Sequence, residues 1–180
     1  MTLFLKNSFL ILTLSIIFSI LSFDGYAQSP QSKQIVQRCG DGLYFLFPVG
    51  TFMYIHLNQD KAGKEQFIQS FLLNVTSTLA LKIAVNKERP NGKPWSFPSA
   101  HTSVSFQAAA FIQKRYGWKY GIFAYLAALF VGFSRIYAEK HYIEDVIAGA
   151  ALGIGHSYLF TKKYIALKKN KISVHYSFYF

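Results

Sequence analysis

A chain of 180 residues is about one domain of sequence, long enough to bury a substantial core. Hydrophobic residues make up 52% and charged residues 15%, with a mean hydropathy of +0.21, which is apolar for a soluble domain and low for a chain made only of membrane spans. The single Cys39 excludes an internal disulfide, and the net charge of +11 does not read as nucleic-acid binding, because the Lys and Arg are dispersed between apolar segments.

Residues 1–27 have the order of a secretory signal: Lys6, an apolar run over 9–23, then small residues at Gly25 and Ala27. The alternative is an uncleaved first transmembrane segment, for which the run is short. Either way the chain emerges on the outer side of a membrane. Residues 28–171 form the main domain, opening on a polar stretch over 28–33. An apolar segment at 43–57 contains Pro48 and Gly50, which predict a bend. A polar turn at 58–65 leads to an apolar helix at 67–85 with one polar face, carrying Asn74, Thr76, Ser77 and Thr78. The proline-rich loop 86–99 precedes a short helix at 102–112, a basic turn at 114–119 and a strongly apolar helix at 120–133. The polar stretch 134–145 then opens a last helix at 146–160, where Gly149, Gly153 and Gly155 permit close helix packing. A basic tail follows at 161–171, and residues 172–180 alternate as a short strand would. The expected fold is an all-α bundle of about five to six helices, embedded in a membrane.

The basic residues fit one topology. Lys61, Lys64, Lys114, Arg115, Lys119 and the 162–171 cluster fall on one side, which the positive-inside rule makes cytoplasmic. The junctions 86–101 and 135–143, which carry His101 and His141, then face outward. That corresponds to a bacterial-type inner membrane with the polar junctions toward the periplasm. A soluble helical domain secreted to the periplasm is the alternative.

Three polar clusters stand at the outer ends of the apolar segments. Lys82 and Arg89 are about two helical turns apart and can point the same way. Pro98, Ser99, Ala100 and His101 open a helix, and a helix N-terminus presents free N–H groups to an oxyanion. Ser134, Arg135, His141 and Asp145 form the third cluster. With 142 onward helical, Asp145 lies one turn from His141, fixes its tautomer and leaves the other ring nitrogen basic. Three permanent cations gathered in a sparsely charged chain repel one another unless an anion joins them, so a tetrahedral oxyanion is the expected ligand. No Asp-rich or His/Cys cluster has metal-ligand spacing, so neither a metal nor another cofactor is expected.

In order the blocks read K-x6-R-P, P-S-A-H and S-R-x5-H-x3-D. This resembles the signature of the type 2 phosphatidic acid phosphatase (PAP2) superfamily, which includes class A acid phosphatases and vanadium haloperoxidases. One position departs from it: Ala100 stands where the family has Gly. A left-handed backbone there would be strained. The resemblance implies that His141 attacks phosphorus, Asp145 orients it, and His101 protonates the leaving alcohol and then activates water. Lys82, Arg89, Ser99, Ala100 and Arg135 would hold the phosphoryl oxygens. The substrate would be a phosphomonoester or diphosphate, foremost of a membrane lipid. A soluble acid phosphatase of broad specificity, a haloperoxidase and a non-catalytic anion-binding membrane protein are the rival readings. Lys87, Glu88, Lys93, Trp95, Lys140 and Glu144 are read as solvated loop or surface, and His56, His156 and His175 have no assigned role.

Overall fold

The structure, a computed structural model, describes residues 29–164. The signal or first span expected at 1–27 and the strand expected at 172–180 lie outside the described residues. Within them the chain forms five helices and no strand: α1 (Pro30–Leu57), α2 (Lys61–Val85), α3 (Ala100–Tyr116), α4 (Trp118–Tyr137) and α5 (Ile143–Phe160).

Each boundary has a local chemical cause. Ser29 caps α1 by accepting from the Ser32 N–H at 3.1 Å, with Pro30 in the first turn, where its missing N–H costs nothing. Asp60 caps α2 by accepting from the Gly63 N–H at 2.9 Å. Asn86 ends that helix in the left-handed conformation, φ 43°. Ser99 caps α3, and Gly117, φ 92°, separates α3 from α4. Several boundaries differ from the sequence reading, and α2 and α4 are longer than their apolar runs. Helix α1 begins at Pro30, well before the apolar stretch, and continues through Pro48. Helix α3 is 17 residues long and α5 starts at Ile143. The extra turns are polar or small, so hydropathy alone does not mark them; packing against neighbours holds them helical.

Short connections make the helices run alternately up and down. The ends of α2 and α4 and the starts of α1, α3 and α5 therefore share one end of the bundle. Helix α3 is the axis, packed against all four others and most extensively against α5 and α4. Beside the apolar Val104, Phe106 and Phe111, its buried residues are small or polar: Ala108, Ala109 and Ala110 with Thr102, Ser103, Ser105 and Gln107. Close approach to α5 depends on Gly149 and Gly153, because a Cβ at either would collide with the α3 backbone at Ser99 or Ser103.

Polarity is arranged inside out. Leu72, Leu79 and Ile83 on α2 and Ile122, Leu126 and Leu129 on α4 are exposed, while Ser70, Asn74, Thr78 and Gln107 are buried. The buried polar groups bond one another: Gln107 Nε2 donates to Ser70 Oγ at 2.7 Å, and Ser103 Oγ donates to Asn74 Oδ1 at 2.7 Å. His156 joins this ladder at Asn74 Oδ1, 3.2 Å away. Small and polar residues between helices with large apolar residues facing outward are what a lipid solvent selects. Helices α2 and α4 are each long and apolar enough to cross a membrane.

Candidate active site

The shared end of the bundle collects all three motif blocks. His141 lies in the loop between α4 and α5, one residue before the α5 N-cap Tyr142, and is 3% exposed. Asp145, in the first turn of α5, is fully buried. The two are close but not directly bonded: His141 Nδ1 and Asp145 Oδ2 stand 3.8 Å apart. Ser96 bridges them. Its hydroxyl donates to Asp145 Oδ2 at 2.5 Å and lies 3.4 Å from His141 Nδ1. With the Ser96 proton committed to the carboxylate, its oxygen is left to accept from Nδ1–H. His141 Nε2 is then the basic nitrogen.

Asp145 is held on three further sides. The Tyr142 N–H donates to Oδ2 at 3.0 Å, Lys87 Nζ donates to Oδ1 at 2.9 Å, and the Asp145 carbonyl accepts from the Ser99 N–H at 2.9 Å. Lys87 also pairs with Glu144 at 2.7 Å. The loop reading of Lys87 as merely solvated is therefore corrected: it docks the 86–99 loop onto α5. The last of the three Asp145 contacts ties the start of α3, and hence His101, to α5, the helix that follows His141.

The loop 86–99 is drawn in by its cations. Lys82 is buried and donates to the Trp95 carbonyl at 2.7 Å and to the Ser96 carbonyl at 3.4 Å. Arg89 Nη2 reaches the same Trp95 carbonyl at 3.5 Å, while Arg89 Nε is buried without a partner. Trp95 itself sits at φ 63°, a conformation that costs free energy in a non-glycine residue, and these contacts hold it there. Lys82 keeps one further N–H and Arg89 keeps most of its fork, so both can still donate to an anion.

Ser99 Oγ accepts from the Thr102 N–H at 3.4 Å and from the Thr102 hydroxyl at 3.0 Å, which leaves its own proton to donate. Ala100 is the first residue of α3 and is absent from the residues of positive φ, so alanine carries no backbone strain at this position. Arg135 is 2% exposed and donates from Nε to Ser134 Oγ at 3.0 Å, from Nη1 to Asp41 at 2.6 Å and from Nη2 to the Gln37 carbonyl at 2.8 Å. Each terminal nitrogen retains a second N–H.

These cations act on the histidines. Burial, then Lys82 and Arg89, push the His141 pKa down to about 3. Burial, then Arg135, push His101 down to about 4, against an opposing pull from Asp41. Burial likewise lowers Arg89, with Arg135 adding to the effect. A neutral His141 with Nε2 free is a nucleophile, and the surrounding donors suit a tetrahedral dianion. Among the described residues no group of three or more His, Cys, Asp or Glu could hold a metal ion.

Sequence reasoning missed Ser96, Lys87 and Asp41. A lone serine or lysine in a loop carries no spacing signal. Asp41 lies on α1, 94 residues before the arginine it pairs with.

The chain is thus an all-helical bundle that gathers a buried histidine, a carboxylate behind it and clustered cations at one end. Residues 85–169, which hold most of the site, match the family model of the PAP2 superfamily. A lipid A 4'-phosphatase of Helicobacter pylori is 37% identical over 78 residues, covering 43% of this chain and 39% of that protein. The chain thus matches well under half the length of that relative. Among solved structures, LpxE of Aquifex aeolicus superposes with a TM-score of 0.64 at 24% identity, over 81% of this chain and 92% of that one. The first transmembrane PAP2-type phosphatidylglycerolphosphate phosphatase from Bacillus subtilis gives 0.58 at 21% identity, over 87% and 92%. The fold and the two apolar helices fit a membrane-embedded bundle.

Proposed function

We propose that this protein is a metal-independent phosphatase that removes a phosphate group from a membrane lipid through a phosphohistidine on His141. The observation that carries this is the buried, neutral His141, with Nδ1 turned to Ser96 and Asp145 and three cations at the same end of the bundle. In the first step Nε2 attacks phosphorus and the P–O bond to the lipid breaks, while His101 gives its proton to the leaving oxygen. In the second step water attacks phosphorus, His101 takes a water proton and the P–N bond breaks. Lys82, Arg89, Ser99, the Ala100 N–H and Arg135 hold the equatorial oxygens throughout.

The similarity to a lipid A 4'-phosphatase makes a phosphorylated glycolipid the first substrate to try. The active site faces the periplasm in this reading, because Lys61, Lys64, Lys114 and Lys119 lie at the opposite end of the bundle. The exposed apolar faces of α2 and α4 favour a membrane-bound enzyme over a secreted soluble one.

The test is phosphate release by the detergent-purified protein from lipid A phosphates, phosphatidate, phosphatidylglycerophosphate and isoprenyl diphosphates. Turnover of at least one of these is expected, with an alkali-stable, acid-labile phosphoenzyme that H141Q does not form. Full turnover by H141Q would sink the mechanism.

A further inference from the structure

One charged group at this end of the bundle has no part in the chemistry above. Asp41 stands on α1, outside the matched segment 85–169. Its Oδ1 accepts from Arg135 Nη1 at 2.6 Å and lies 3.0 Å from His101 Nε2. Its Oδ2 takes a longer bond, 3.4 Å, from Gln37 Nε2. The chain is built to bring this carboxylate in. Gly40 lets α1 lie directly on Ser134 and Arg135, where a Cβ would collide with both side chains. One turn on, the Tyr44 ring covers His101, centroids 4.1 Å apart and tilted by 33°. Residues 37, 40, 41 and 44 share one helical face, and that face meets the acid half of the site.

The groups facing His101 come from every neighbouring element. Arg135 approaches from α4, Arg89 from the loop 86–99 and His141 from the loop before α5, while Asp41 and Tyr44 come from α1. Asp41 is the one carboxylate paired with His101 among the described residues.

We infer that Asp41 is a positioning residue that anchors His101 through Nε2, so that Nδ1 exchanges the proton with the leaving oxygen and then with water. The inference rests on the phosphatase reading above. The site then contains two carboxylate–histidine pairs of opposite sense. His141 is held at Nδ1 through Ser96 and reacts at Nε2; His101 is held at Nε2 and works at Nδ1. A carboxylate beside the acid also opposes the two arginines, which otherwise strip His101 of the proton it must donate.

The experiment compares wild type, D41N and D41E on an aryl phosphate, whose leaving group needs no proton, and an alkyl phosphate, whose leaving group does. Inorganic phosphate binding and thermal melting are measured alongside. The expected result for D41N is a loss in kcat/KM of about 10²-fold on the alkyl ester, the scale of one general-acid contact, with only a few-fold loss on the aryl ester. The basic limb of its pH profile is expected to move to lower pH, and D41E to recover part of the loss. An equal loss in kcat/KM on both esters would make Asp41 merely structural and overturn the inference. So would a lower KM and tighter phosphate binding with kcat kept, since Asp41 would then be a competitor for the oxyanion site. Should D41N not fold, the alkyl-to-aryl ratio of D41E decides: a ratio below wild type supports the inference and an unchanged ratio overturns it. A wild-type protein that hydrolyses neither these esters nor any lipid of the panel overturns the phosphatase reading and this inference with it. A uniform loss in an otherwise active enzyme overturns this inference alone.

Discussion

The bundle carries an aspartate–arginine pair at each end, and the two are built differently. At the end away from the histidines, Asp60 and Arg115 meet through two parallel hydrogen bonds, and both side chains are almost fully buried. Almost every remaining donor and acceptor there is used. Asp60 accepts from Tyr116 at 2.8 Å and from the Gly63 N–H, while Arg115 reaches Gln66 at 3.1 Å and the Lys162 carbonyl at 2.8 Å. At the other end, Asp41 meets Arg135 through one oxygen, shares that oxygen with His101, and is 36% exposed. The first pair is closed on itself and locks the start of α2 to the end of α3. The second is left open toward a third, titratable group. A saturated ion pair serves the fold; an unsaturated one beside a histidine is available for chemistry.

The contrast is broken most severely at the histidine end. Replacing His141 by Gln should cost on the order of 10⁴-fold or more in turnover with the melting temperature little changed. Phosphate release beside a thermal melt checks this, and a variant that unfolds would mean that the open end also bears the fold. Asp60→Asn should do the reverse. Leaving Arg115 buried and unpaired costs about 3–5 kcal/mol of stability, while the molecules that remain folded keep wild-type kcat; denaturant titration and active-site counting separate the two. Ser96→Ala should have a smaller effect, roughly tenfold in kcat, because the His141 ring loses its bridge to Asp145 but keeps its pocket. Steady-state kinetics on an aryl phosphate measure it, and an unchanged kcat would mean that Asp145 acts without the serine.

The gentlest probe is pH. His101 and His141 are held down to about 4 and about 3, below the unfolded value of about 6.5. As pH falls below about 6.5 the unfolded chain takes up protons that the folded chain refuses, so stability should decline from there toward pH 4. Melting curves across that range should show the slope, and H101Q/H141Q should flatten it; an unflattened slope would assign it to other groups.

What could be read from the sequence divides along the same lines. Lys82, Arg89, Ser99, His101, Arg135, His141 and Asp145 stand in short blocks at helix ends, where residue type and spacing carry the chemistry, and the bundle brings all of them to one end. The helices over 67–85 and 120–133 were legible because their apolar runs are long. Asp41 was not legible: a single aspartate in the polar first half of α1 has no pattern, and its meaning comes only from the packing of Gly40 on Ser134. Ser96 was hidden for the same reason, and a direct His141–Asp145 bond was expected where a serine intervenes. The start of α1 escaped notice because its helicity is held by tertiary contacts such as Lys33 with Glu139 at 2.6 Å, which no local propensity announces.

Exposed aromatic residues stand at both ends of the bundle, Trp95 and Tyr142 at one and Trp118, Tyr120 and Tyr158 at the other. Such side chains settle at the boundary between headgroups and hydrocarbon. On the proposed function they would act as a depth gauge, keeping His141 at the level where lipid phosphates lie and water is plentiful. A lipid substrate of the proposed reaction would then be dephosphorylated without leaving its leaflet, arriving and departing by lateral diffusion. The concentration that matters to such an enzyme is counted per unit area of membrane. Diluting the substrate with inert lipid should slow it, while adding more vesicles of the same composition should not speed each enzyme molecule already embedded in one.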